Sequence, residues 1–205
     1  MALSGIQWEI LFVDDSSPDG TAEQVSLIAA TNRRVRLLQR VGRRGLSSAC
    51  IEGMRATTAP HIAVMDADSQ HDEHVLPEML SRLKSDALDL VVGSRAVSGG
   101  SMGKFPRRRA VLSQLGTKAA RFICHCQLSD AMSGFFVLRR SFFEKTIDRS
   151  EGTGFKLLLE LLASSETPPR IAEVPYTFRE RQRGASKFGV SAGLAYLRFL
   201  RKRIA

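Results

Sequence analysis

The chain has few cysteines, few aromatic residues and no long apolar run, and each shortage removes a class of protein. Three cysteines among 205 residues cannot close a disulfide framework, so a reducing setting is the plain expectation. Cys124, His125 and Cys126 stand together, but no second ligand pair follows at zinc-finger spacing, which favours packing over metal binding there. Aromatic residues make up 7% of the chain. That argues against the stacking platforms of single-strand nucleic-acid binders. With no helix-turn-helix or zinc pattern either, no nucleic-acid partner is expected. No apolar run reaches the roughly 18 to 20 residues that cross a bilayer. Residues 1–7 lack the basic and then apolar regions of a signal peptide. No Ser-His-Asp or Cys-His grouping suggests a protein nucleophile.

What remains is an ordinary globular composition, 43% hydrophobic and 25% charged. The length suits one sizeable core. No repeat, low-complexity segment or linker divides it, so residues 1–205 read as a single domain. Thirty Lys and Arg against 21 Asp and Glu leave a net charge of +9. Such a balance favours an anionic partner: nucleic acid, an acidic membrane surface or a phosphorylated substrate.

Strand and helix signals alternate from the start. Residues 10–13 form an apolar run that ends in a dense loop signal, residues 14–20. Residues 21–30 have helical spacing with Thr21 as N-cap. A strand at 35–38, a helix at 46–56 opened by Gly45, a strand at 61–65, an amphipathic helix at 75–83 and a strand at 88–92 follow. The apolar runs are continuous rather than alternating, as in parallel strands buried on both faces. This order predicts a doubly wound α/β sheet. A Gly-rich basic loop (97–109), a long helix (110–124), a strand (135–138), a helix (155–163) and a strand (171–178) complete the pattern, with a basic loop (179–189) before a last helix.

Asp66 and Asp68 follow the third strand, where open α/β sheets bind ligands outside the carboxyl ends of their strands. Carboxylates at i and i+2 of an extended segment share a side. Together they can hold a hard divalent cation and leave positions open for diphosphate oxygens. Gln70 and His71 add ligands or hydrogen bonds; the other reading is a pair that merely caps the next helix. Asp14 and Asp15 end the first strand at the same edge. They fit a carboxylate on a nucleoside, or an Asx-turn closed by Asp19 and Gly20. Two basic groups, Arg107, Arg108 and Arg109 with Arg121, and Arg181, Arg183 and Lys187, lie in loops or helices after the sheet. They suit phosphate binding, although any single one could be a solvated surface charge.

Taken together, Phe12-Val-Asp-Asp-Ser-Ser-Pro-Asp-Gly-Thr21, Gly45-Leu-Ser-Ser-Ala49, Val64-Met-Asp-Ala-Asp-Ser-Gln-His71 and Gly93-Ser-Arg95 resemble the family 2 glycosyltransferases. Four further segments narrow the resemblance to the dolichol-phosphate (polyprenol-phosphate) mannosyltransferase branch. These are Ser133-Gly-Phe-Phe-Val-Leu-Arg139, Gly154-Phe-Lys156, Glu173-Val-Pro-Tyr-Thr-Phe178 and the stretch from Arg181 to Lys187. The match runs in order over nearly the whole chain.

The resemblance implies an α/β fold of GT-A (Rossmann-like) type, a mostly parallel sheet flanked by helices. It also implies a further strand and helix before about Gln7, so the fold is expected to be N-terminally incomplete, with an incomplete donor site. It assigns Asp66, Asp68 and Gln70 to Mg²⁺ or Mn²⁺, and Asp14, Asp15, Gly45, Leu46, Ser47, Asp66 and Ala67 to the nucleoside diphosphate sugar. Arg109, Arg121, Ser133, Arg181, Arg183 and Lys187 fall to the lipid phosphate, and Asp68, Arg109, Arg121 and Arg181 to catalysis.

The expected activity is inverting transfer of a sugar, mannose from GDP-mannose before others, onto dolichyl or polyprenyl phosphate. A phosphate acceptor is already ionised, which explains a site without a side-chain base. Alternatives are a UDP-glucose-dependent glucosyltransferase, a metal-dependent phosphohydrolase, and a truncated non-catalytic module that binds lipid phosphate or regulates. Residues 190–205 read either as a basic amphipathic helix lying in a membrane interface or as a helix packed on the domain. The lipid acceptor favours the former, and with it a peripheral place on the cytoplasmic face of an anionic membrane.

Overall fold

A computed structural model describes residues 5–101, 121, 127–150 and 157–179. The long helix expected at 110–124, the cysteine cluster, the basic loop after residue 179 and the terminal helix therefore lie outside the described residues, apart from Arg121.

The first strand, β1 (Ile10–Asp14), pairs in parallel with β2 (Val35–Gln39), from Ile10 opposite Val35 to Asp14 opposite Gln39. Parallel strands need a crossover. Here it is α1 (Thr21–Thr31), which buries Ala22 and Val25. Thr21 begins the helix rather than capping it. The cap position is Gly20 at φ +79°, and the Asp19 carboxylate accepts from both the Thr21 amide and hydroxyl. A left-handed backbone at that position is natural only for glycine.

Next come α2 (Leu46–Arg55), β3 (His61–Val64), a short 3₁₀ turn (Glu73–Val75), α3 (Leu76–Ser85), β4 (Leu90–Ser94), β5 (Phe136–Arg139), α4 (Arg140–Ile147), α5 (Leu157–Ala163) and β6 (Ile171–Pro175). The last four strands form one sheet in the order β3-β5-β4-β6. In it β4 and β6 are parallel, while β5 runs against both β3 and β4. The sheet is thus mostly parallel in strand direction, with one reversed member. A continuous apolar run reports burial on both faces and is silent on direction.

That reversal positions the site. Because β5 is antiparallel, its first residues lie at the carboxyl ends of β3 and β4, so the segment just before it shares their edge. Alternate residues of the central strands fill two cores. Leu90, Val92, Phe136 and Leu138 face Ile51, Phe142 and Leu158, whereas Val91, Phe135 and Val137 face Met79, Leu83 and Tyr176.

Among the described residues the two sheets share no strand pairing, and β3 is bonded only to β5. Helix α2 joins them. Its Gly53 lies so close to β1 that a Cβ would meet Val13 Cγ2 at 2.8 Å, while Ile51 and Met54 enter the core of the larger sheet with Ile62.

Candidate active site

The acidic loop after β1 is organised by one buried arginine. Arg40, 1% exposed, donates through Nη1 to Asp15 Oδ1 at 2.7 Å and to the Gly45 carbonyl at 3.2 Å, and through Nη2 to Ser48 Oγ at 2.8 Å. Its Nε lies 3.3 Å from Glu52. The other Asp15 oxygen accepts from the Gly45 amide at 2.9 Å. Gly45 sits at φ +138°, a backbone region that is strained for any other residue, and starts α2. Asp15 and the Gly45 turn are therefore one rigid unit. Asp14, 6% exposed, accepts from the Ser17 amide at 2.9 Å, so its carboxylate closes the loop. Leu46 and Ala67 are exposed, and Ser47 is buried with its hydroxyl 3.3 Å from the buried Glu160 carboxylate of α5.

The loop after β3 carries Asp66 and Asp68. Asp68 accepts from the Gln70 amide at 3.1 Å, across Ser69 at φ +63°. Gln70 Nε2 donates to the Arg179 carbonyl at 3.2 Å, and the Arg179 amide returns a bond to the Gln70 carbonyl. Asp66 is partly open to solvent, its side chain 41% exposed. It meets Gly134, where a Cβ would lie only 3.0 Å from Oδ2. His71 Nε2 lies 3.5 Å from the same oxygen. His71 is buried among Phe135, Tyr176 and Phe178, with Nδ1 2.8 Å from the Tyr176 hydroxyl. Burial raises the Tyr176 pKa, so this hydroxyl keeps its proton.

Beside this loop Arg95, at the end of β4, makes a two-toothed bond to Asp130 at 2.7 and 2.9 Å. Burial opposes the charge on Arg95, and Asp130 outweighs it, holding the guanidinium pKa above its ordinary value. Glu173 accepts from the amides of Ser129 and Asp130, which fixes the segment that presents Asp130.

Helix α2 brings the two acidic loops into one electrostatic environment. Burial pushes the Cys50 thiol up to about 12, Asp66 and Asp15 add to the rise, and Arg40 opposes it. Of the groups expected to act together, Asp15, Asp66 and Asp68 follow the carboxyl ends of β1 and β3, and Gly45, at the start of α2, is hydrogen-bonded to Asp15.

Other expectations fare differently. Arg109, Arg181, Arg183 and Lys187 lie outside the described residues, and Arg121 is exposed. Ser133 is buried, and its hydroxyl donates to the Gly93 carbonyl at 2.7 Å while accepting from the Phe135 amide at 3.2 Å. It is occupied in bracing β4 against β5. Among the described residues, Asp72, Glu73 and His74 offer a further acidic and histidine group. Both carboxylates there are already paired with Arg179, at 2.6 and 2.8 Å, so a cation of the protein's own is in place. Arg40, Asp130 and Tyr176 carry much of the site, yet residue spacing did not single them out.

The oxygen-rich residues after β3 fit a hard divalent ion. Asp66 and Asp68 stand two residues apart, the Asp66 side chain is 41% exposed, and His71 Nε2, a buried nitrogen with no hydrogen-bond partner, lies 3.5 Å from Asp66 Oδ2. Metal-binding carboxylates are commonly oriented from behind by such groups.

Comparison with known proteins adds the lineage. The glycosyl transferase family 2 model matches residues 2–147. The dolichol-phosphate mannosyltransferase of Saccharomyces cerevisiae is 38% identical over 200 residues, 95% of this chain and 73% of its own length. The Pyrococcus furiosus protein of the same description is 35% identical over 97% of this chain, which spans only 56% of that relative. An undecaprenyl-phosphate mannosyltransferase of Micrococcus luteus is 36% identical, with 87% of this chain and 75% of the relative covered. Among solved structures, glucosyl-3-phosphoglycerate synthase of Mycobacterium tuberculosis with UDP superposes with a TM-score of 0.64 at 18% identity, over 94% of this chain and 68% of that one. At that identity it speaks for the GT-A fold alone.

Proposed function

The chain belongs to glycosyl transferase family 2, and on that premise we propose that it transfers a sugar from a nucleoside diphosphate to a polyprenyl phosphate, with mannose from GDP-mannose as the first donor to test. The observation that carries the reading is that two acidic loops, Asp14–Asp15 and Asp66–Ala67–Asp68, follow the carboxyl ends of β1 and β3, two strands bridged by α2 through Gly53 against Val13 and Ile51 and Met54 with Ile62. The relatives' names supply the class of acceptor, a polyprenyl phosphate, and the sugar, mannose.

In this reading Asp15, held by Arg40 and the Gly45 amide, accepts hydrogen bonds from the nucleoside, and the Gly45 turn lets the donor approach backbone. Asp66, Asp68 and Gln70 hold Mg²⁺ or Mn²⁺, which would supply electrostatic stabilisation to the diphosphate as it leaves. An oxygen of the acceptor phosphate attacks the anomeric carbon. A new C–O bond forms as the bond to the donor's diphosphate breaks, and the electron pair departs with the nucleoside diphosphate. The phosphate is already ionised, so no side chain has to remove a proton. The protein's work is to bring two anions together and hold them in line. Arg109, Arg121, Arg181, Arg183 and Lys187 are the residues proposed to neutralise the acceptor. Ser133 is left out of that set, because its hydroxyl is buried against backbone.

Displacement in one step inverts the anomeric centre, giving a β-linked lipid phosphate sugar from an α-linked donor. A lipid substrate calls for a protein that works at a membrane surface, and +9 of net charge suits an anionic one. No helix among the described residues is long and apolar enough to cross a membrane. The test is incubation of the chain with polyprenyl phosphate, Mn²⁺ and a panel of labelled nucleotide sugars, followed by NMR of the lipid product. A β-mannosyl product is expected, and retention of configuration would contradict one-step displacement.

A further inference from the structure

We propose that His71 and Tyr176 form a two-residue tether that sets the orientation of the Asp66 carboxylate, making both of them positioning residues for the metal-binding loop. The inference rests on the reading of Asp66 as a metal ligand and extends it into the core of the protein.

His71 is 4% exposed and enclosed by three aromatic rings at centroid distances of 5.2 to 5.6 Å. Such packing leaves the imidazole little freedom to rotate. Its Nδ1 is bonded to the Tyr176 hydroxyl at 2.8 Å. Its Nε2 is buried without a hydrogen-bond partner, 3.5 Å from Asp66 Oδ2. A buried donor left unbonded is costly, so a nitrogen in this place needs a use.

The carboxylate decides which nitrogen carries the proton. A bare lone pair on Nε2 would face the negative Asp66 oxygen and be repelled. With the hydrogen on Nε2, attraction replaces repulsion, and Nδ1 becomes the acceptor for the Tyr176 O–H. The chain of donors then runs from Tyr176 to His71 to Asp66. This is the arrangement that orients metal-binding carboxylates elsewhere, and loss of such an outer partner typically weakens metal binding about 10- to 100-fold.

Gly134 makes the second close approach to the same Asp66 oxygen. Its missing side chain is what allows Asp66 to sit where Nε2 can reach it, since a Cβ would meet Oδ2 at 3.0 Å. Tyr176 follows β6 and Gly134 precedes β5, so the carboxylate is gripped by elements far from it in sequence. The open side of Asp66 is left for the ligand.

The test uses the full chain. ¹⁵N NMR of the metal-free protein reads the His71 tautomer, and electron paramagnetic resonance of Mn²⁺ with GDP or UDP reads affinity in wild type, Tyr176→Phe, His71→Gln and His71→Asn. The expected result is a proton on Nε2 in wild type and about tenfold weaker Mn²⁺ binding in Tyr176→Phe. The amide nitrogen of glutamine can reach the place of Nε2 and that of asparagine only the place of Nδ1, so His71→Gln should bind Mn²⁺ more tightly than His71→Asn. A merely structural histidine would not produce that order. A proton on Nδ1 alone, Tyr176→Phe affinity within twofold of wild type, or a reversed order of the two amides would overturn the tether. Wild type that binds no Mn²⁺ with either nucleotide would instead overturn the metal reading, and the tether with it. If a variant fails to fold, the wild-type tautomer still decides.

Discussion

The two acidic loops occupy equivalent ends of their strands and are held in opposite ways. Asp15 is bound by a charge: Arg40 is all but inaccessible, and it also serves Glu52, Ser48 and the Gly45 carbonyl. Asp66 is held by packing, between an imidazole in an aromatic cage and a glycine that leaves it room. The difference follows from the sheets beneath. The larger sheet has a strand, β4, buried from end to end, so its loop can be shaped by apolar neighbours. The smaller sheet has two strands with Ile10 exposed, and α1 exposes Leu27 and Ile28. There a polar network takes over the fixing of the loop. The first loop therefore carries part of the protein's stability beside its proposed ligand role, and the second is left free of that load.

Removing Arg40 should break the comparison most severely. Arg40→Ala leaves Asp15 without its cation and Glu52 with only the exposed Arg43, and should cost about 3 kcal/mol, read as a lowered urea midpoint. Gly45→Ala comes next. At φ +138° an alanine is strained by about 1–3 kcal/mol, and the Asp15 bond to its amide should loosen. Asp66→Asn is the contrasting case. Stability should change by less than about 1 kcal/mol, since the side chain is half open, while Mn²⁺ binding falls by an order of magnitude or more. If Asp66→Asn proved as destabilising as Arg40→Ala, the division of labour between the loops would be wrong.

The smallest effect belongs to Arg179. Burial raises the Asp72 pKa, and the His74 hydrogen bonds and Arg179 more than offset this, leaving it below its usual value. A backbone hydrogen bond and Arg179 do the same for Glu73. A carboxylate depressed in the folded state contributes stability above the ordinary carboxylate range, and that contribution is lost as pH falls through its folded pKa. Wild type should therefore exceed Arg179→Ala by under about 1 kcal/mol near neutrality, since these groups are largely exposed. The gap should close below about pH 4, followed by thermal unfolding across pH.

Much of this was legible in the residues. Apolar runs broken by loop signals located every described strand, although only β4 and β5 are buried along most of their length. The direction of β5 left no mark in the composition. Helix α4 was missed because Arg140 begins it directly after Arg139 ends β5, with no glycine, proline or asparagine between. At the site, acids at strand ends were visible because their position carries meaning in an open sheet. Arg40 was not, since an arginine paired with Asp15, 25 residues away, reads the same as a surface charge. Asp130 and Tyr176 were hidden likewise. Their roles exist only once β5 and β6 are beside β4.

The central claim is that the two loops serve transfer of a sugar to a lipid phosphate. It is tested most directly by partition of a labelled sugar from GDP-mannose into organic solvent, with polyprenyl phosphate and Mn²⁺ present. Label in the organic phase that requires both additions, and that is lost in Asp66→Asn, is the predicted result. Label released as free sugar in water, with none in lipid, would contradict it.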